Sequence, residues 1–103
     1  MFKASVMYPN EEGARFDYEY YRTTHMKLVK EHFGPFGLLK TEVIKGLSGG
    51  GDAPPPFLCV GNLYFETADG YERSIANAGA ILRGDIPNFT NVKPVRLIGE
   101  VLD

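Results

Sequence analysis

The chain has 103 residues, 44% hydrophobic and 23% charged, with a formal net charge of -2. That is enough for one domain with its own core, and we read residues 1–103 as that single domain. No basic stripe is present to hold nucleic acid, no apolar run is long enough to cross a bilayer, and the lone Cys59 can form neither an intrachain disulfide nor a zinc cluster. The opening MFKASVMYPNEEG reads as a strand without a signal-peptide core, so we expect a reducing, cytoplasmic location.

Alternation predicts a first strand over Phe2 to Tyr8, with Phe2, Ala4, Val6 and Tyr8 on one face. A helix opens at Asp17, a favoured N-cap, with Phe16 and Tyr21 at hydrophobic-staple spacing. At 100° per residue its inward line is Tyr18, Tyr21, His25, Leu28, Val29 and His32, and Gly34-Pro35 stops it. Leu38 to Gly46 and Phe57 to Glu66 read as a hairpin across the SGGGDAPPP loop. A second helix is expected from an N-cap near Thr67 to about Leu82, with Tyr71, Ile75, Ala78 and Leu82 inward. GDIPNFTNVKP reads as a loop before a last strand, Val95 to Leu102.

The predicted order is β-α-β-β-α-β. This is an α+β, ferredoxin-like split-βαβ fold, a four-stranded antiparallel sheet with two helices on one face. The strands carry apolar residues at both parities: Leu38 with Leu39, Val43 with Ile44, Leu63 with Tyr64, Leu97 with Ile98. A sheet with one wet face alternates more cleanly, so the second face is expected to be covered by a second copy, making a twofold homodimer.

Three segments resemble the EthD-like family of the dimeric α/β-barrel superfamily: MYP (Met7 to Pro9), FDYEYYRTTHMKLV (Phe16 to Val29) and DIPNFTNVKP (Asp85 to Pro94). The spacing of Phe16-Asp17, Tyr21 and His25 is the specific part, and Lys27 departs from it where the family commonly has Pro. The resemblance implies a homodimeric barrel and a pocket between helices and sheet. It further implies a small apolar or aromatic oxygenated ligand and a cofactor-free oxidoreductase or lyase/isomerase-type step. The family's namesake accompanies an ether-degrading monooxygenase system, so a non-catalytic carrier or an accessory dimer for a monooxygenase partner is the alternative. Haem-binding relatives take their ligand from the second helix, which has no histidine here.

His25 is the first candidate for proton transfer, with Tyr21 one turn earlier to orient it; equally, it can be a core histidine bonded to a neighbour. His32 can face the pocket or cap the helix end, where a cation meets the helix dipole favourably. The two imidazoles lie about 10 Å apart along the helix, too far to share one ion, so no metal is expected, and the resemblance implies no cofactor. Tyr8, Tyr18, Tyr64 and Phe89 are the candidate substrate contacts, set against the commoner role of such aromatics as core. Asp85, Asn88, Phe89 and Thr90 can close the pocket from their loop or fix a turn.

Overall fold

A two-residue alternation makes a strand, because successive side chains leave a pleated backbone on opposite sides. Four segments satisfy it in the computed structural model, which describes residues Met1–Asp103. They are β1 (Phe2–Pro9), β2 (Leu38–Lys45), β3 (Phe57–Phe65) and β4 (Val95–Glu100). The sheet order is β2-β3-β1-β4, with every neighbouring pair antiparallel. Two helices, α1 (residues 18–33) and α2 (Gly70–Asp85), pack on one side of it. The chain order is therefore the ferredoxin-like β-α-β-β-α-β expected from the sequence.

Helix α1 begins as anticipated. The Asp17 carboxylate accepts the Tyr20 N–H at 3.0 Å, and the Phe16 and Tyr21 rings meet at 5.1 Å. Its interior is not a uniform α-helix. After one α turn (Tyr18–Tyr20) comes a π turn (Tyr21–His25), in which the Met26 N–H reaches back five residues to the Tyr21 carbonyl. The α form then resumes over Met26–Phe33. A π turn holds one more residue than an α turn. Every later position therefore takes the place its predecessor would have had. The expected line through Leu28, Val29 and His32 becomes one through Val29 and Phe33, which are buried with Met26, while Leu28 and His32 are only half-buried.

Helix α2 lies about one turn further along the chain than its sequence pattern implied. Thr67 is not the N-cap. Its hydroxyl donates to Asp69 at 2.7 Å and its carbonyl accepts the Gly70 N–H at 3.2 Å, forming a turn that delays the helix. At the other end the helix passes through exposed Gly84 and stops at Asp85. Pro87 falls in the 3-10 turn Ile86–Asn88 that follows, near its start, where a missing N–H costs nothing.

The last β-strand is preceded by a segment zipped to the entry of α1. The Asp17 N–H donates to the Phe89 carbonyl at 2.8 Å, Phe16 bridges Thr90, and the Thr90 hydroxyl donates to the Arg15 carbonyl at 2.8 Å. Two of the three segments that carried the family resemblance are thus in direct contact.

The core lies between helices and sheet, where Tyr21, Met26, Val29 and Phe33 of α1 meet Ala4, Tyr8, Leu63 and Phe65 of the strands. Gly61, at the centre of β3, is where the Tyr21 hydroxyl comes down onto the sheet: a Cβ there would lie 2.0 Å from the Tyr21 oxygen.

The outer face of the sheet is arranged in rows that follow the strand register. One is apolar: Ile44, Val60, Met7, Val95. The next is polar at its centre. Ser5 donates to Asn62 at 2.7 Å, and Asn62 donates to Glu42 at 2.9 Å.

Candidate functional site

His25 sits at the end of the π turn, buried, with Tyr21 stacked over it (5.2 Å between centroids, 14° between planes) and Phe89 against it at 4.6 Å. Its Nδ1 lies 2.8 Å from Oδ2 of Asp85, the last residue of α2. The other Asp85 oxygen accepts the Tyr20 hydroxyl at 2.7 Å and the Asn88 amide at 2.9 Å. The carboxylate is thus filled by three donors, two from α1 and one from the turn after α2.

Burial favours the protonated form of Asp85, but the hydrogen bonds from Tyr20, Asn88 and His25 outweigh it and hold the acid below its ordinary range. Burial pushes the His25 pKa down, and the pull of Asp85 restores only part of that loss. Near neutral pH the pair is therefore a carboxylate facing a neutral imidazole. Asp85 can only accept, so the imidazole proton must sit on Nδ1, leaving a lone pair on Nε2. No protein group engages Nε2.

His25 lines a cavity of about 40 Å³ between α1, α2 and the sheet. Tyr8 and Tyr21 share its wall, with their hydroxyls paired; burial raises both phenol pKa values, so both stay protonated donors. The rest is largely aliphatic, from Val6, Val29, Leu63 and Leu82, with Arg96 and Arg83 at one end. The space exceeds what one water needs but falls far short of the roughly 300 Å³ of a typical small-molecule site. It shares Arg83, Ile86 and Arg96 with an adjoining open groove of about 560 Å³.

Of the residues singled out in the sequence, His25, Tyr21 and Tyr8 come together at this cavity. Phe89 backs His25 from outside it. Tyr18 donates to the Leu58 carbonyl at 2.9 Å and forms no part of the wall. His32 is half-buried near the helix end, displaced from the cavity side by the π turn. Tyr64 lies on the outer face of the sheet, donating to Glu42 at 3.3 Å. Two participants were not assigned this part: Asp85 was grouped with a loop, and Tyr20 falls on the outward side of a regular helical wheel. No three His, Cys, Asp or Glu side chains gather anywhere in the fold. A metal at this site would find only Nε2 free, since Nδ1 and the carboxylate are committed to each other.

A crystal structure of an EthD-like protein from Ralstonia eutropha JMP134 superposes on this fold with a TM-score of 0.91. The two are 39% identical over 99% of this chain and 92% of the other. This chain belongs to the EthD-like family. An EthD family protein from Bacillus halodurans C-125 is 21% identical, with 99% of each chain covered and a TM-score of 0.74. At fold level alone, a dimeric ferredoxin-like protein from an uncultured marine organism matches with a TM-score of 0.53. It is 14% identical, over 100% of this chain and 96% of the other. No family profile matches the chain, and no curated protein does. No helix of this EthD-like chain is long and apolar enough to cross a membrane.

Proposed function

We propose that this EthD-like protein binds a small apolar or aromatic oxygenated compound at the cavity, and that His25 moves a proton on it. The observation that carries the reading is the His25–Asp85 pair at 2.8 Å, with Nε2 uncommitted on a cavity wall. A base needs a lone pair within reach of the proton and a way to stabilise the charge it acquires. Nε2 supplies the first. Asp85 supplies the second, because an imidazolium formed on His25 would face a carboxylate already ionised. Tyr8 and Tyr21, both protonated and paired with each other, leave one O–H of the pair to donate toward the developing enolate or phenolate oxygen.

The chemistry this supports is removal of a proton from an enolisable or phenolic substrate. That is the opening step common to cofactor-free oxygenation and to lyase or isomerase reactions. The enclosed volume admits only the reacting end of such a molecule, with the remainder in the groove.

The test is hydrogen–deuterium exchange at the acidic C–H of small aryl ketones in D2O, followed by NMR. Wild type should accelerate exchange, and His25→Gln should lose about 100-fold or more of that acceleration. Undiminished exchange in folded His25→Gln would sink the role of His25. Binding without exchange in the wild type would favour a carrier, or an accessory dimer serving a monooxygenase.

We further propose a homodimer through the outer sheet face. Its apolar row leaves Ile44 46% exposed and Val95 51% exposed, and the neighbouring Leu97 is 60% exposed. The marine ferredoxin-like protein, of the same fold, is described as dimeric.

A further inference from the structure

The open groove adjoining the cavity is lined by four cations, Arg15, Arg83, Lys93 and Arg96, and by no acidic residue. That is a local reversal of charge, since the whole chain has 13 acidic and 11 basic side chains. The three ion pairs of the fold involve none of the four. Arg83 and Arg96 are shared between groove and cavity. Arg96 donates its Nε to the Tyr71 hydroxyl at 2.9 Å, a neutral acceptor, and its two Nη groups have no protein partner. Arg83 lies back over α2: a Cβ on Gly79 would come within 2.9 Å of its Nη1. The missing side chain at Gly79 leaves room for the guanidinium in this position. Of the acids in this region, Asp85 is already filled by its three donors, and Glu72, whose charge reaches the Tyr71 hydroxyl, pairs with neither arginine.

Two guanidinium forks without carboxylate partners, both lining the apolar cavity and the groove, offer a receptor for a planar or tetrahedral oxyanion. Resting on the proposed role of the cavity, we infer that the ligand is an amphipathic acid. Its apolar or aromatic end reaches toward His25, and its carboxylate or phosphate is held by Arg83 and Arg96. The same arrangement sets direction. An anion fixed in the groove can present only its far end to Nε2, which places the reacting C–H or O–H of the ligand away from its charged group.

The experiment compares phenylacetate, phenyl phosphate and the neutral phenylacetamide at low ionic strength, read by the ring NMR signals of His25. His32 is the only other histidine and supplies the reference signal. An anion should bind about tenfold or more tightly than the amide, and the tighter of the two anions identifies the head group. The preference should shrink as salt is added and vanish in Arg83→Met/Arg96→Met. It should persist in Lys27→Gln/Lys30→Gln, which removes the same charge from exposed sites on α1. Arg83→Met alone, on an exposed helix position, covers the event that loss of the Arg96–Tyr71 bond unfolds the double variant. Equal binding of acid and amide, with His25 shifted by both, would overturn the anion subsite and leave the cavity standing. No shift of His25 by any probe would overturn the cavity reading, and this inference with it.

Discussion

The two faces of the sheet are built on opposite principles. On the helix side, polar groups are few and their partners come from distant parts of the chain: His25 and Tyr20 from α1, Asp85 from the end of α2, Asn88 from the turn beyond it. On the outer side, the polar row is satisfied by immediate strand neighbours, Ser5 to Asn62 to Glu42, and the apolar row beside it is covered by nothing in the chain. The inner face is complete within one protomer and holds the chemistry. The outer face has closed the hydrogen bonds of its central polar row in advance and leaves an apolar row exposed beside it, which suits an association surface, since burying an unpaired polar group would oppose contact.

Truncations on the inner face should therefore be felt in stability first. Phe89 is 1% exposed and packs against Tyr8, Phe16, Tyr21 and His25. Phe89→Ala should cost about 3–5 kcal/mol, with the melting temperature falling by more than about 12 °C. A loss below about 1 kcal/mol would mean that the aromatic cluster does not hold the entry of α1 to the segment after α2. Gly61→Ala comes next. Its new methyl meets the Tyr21 hydroxyl, so either Tyr21 or β3 must shift, at about 1–3 kcal/mol. Because Tyr21 stacks on His25, the variant should also move the His25 ring signals, whereas a stability loss without that movement would place the strain in β3.

The comparison also shows where the sequence was readable. Strands, hairpin and both helices follow from alternation, caps and turn residues, which are local signals. The outer rows are equally local, since register converts a list of alternate residues into rows. The His25 site depends on two events that leave no periodic trace. In YRTTHM a π turn inserts one residue into the helical phase, so extrapolation past His25 lands on Leu28 and His32 where the fold buries Met26 and Phe33, and only Val29 is common to both lines. In RGDIP, the residues that ordinarily mark a turn instead extend α2 by a turn and deliver Asp85 to His25. Tyr21 and His25 were placed on the inward face because they lie within the π turn, before its phase shift takes effect.

The outer face can be tested without touching the inner one. Val95→Lys/Leu97→Lys puts two charges on the exposed part of β4, at positions that face no helix. Each should change the stability of an isolated protomer by no more than about 0.5 kcal/mol. Sedimentation at tens of micromolar should show twice the chain mass for wild type and a single folded protomer for the variant. A wild type that sediments as one chain would remove the outer face as an interface between copies.

The smallest effect tests the electrostatics of the pair. Burial depresses the His25 pKa, so the folded state resists a proton that the unfolded chain accepts near pH 6.5. The contribution of His25 to stability is therefore whole above that pH and declines as pH falls from there toward the folded-state value. Asp85 is depressed from an acid's lower starting point, so its contribution is intact through this window and is lost only under stronger acid. Between pH 7 and 5, wild type should lose more stability than His25→Gln, measured by urea unfolding at each pH. Asp85→Asn separates the two causes. It removes the carboxylate that partly restores the imidazole's pKa and leaves the burial in place, so His25 should titrate at lower pH than in wild type. An upward movement would mean that Asp85 does not raise the imidazole's pKa, and a wild-type His25 titrating above the ordinary imidazole value would mean that burial is not the dominant influence and would remove the physical basis of a neutral base at Nε2.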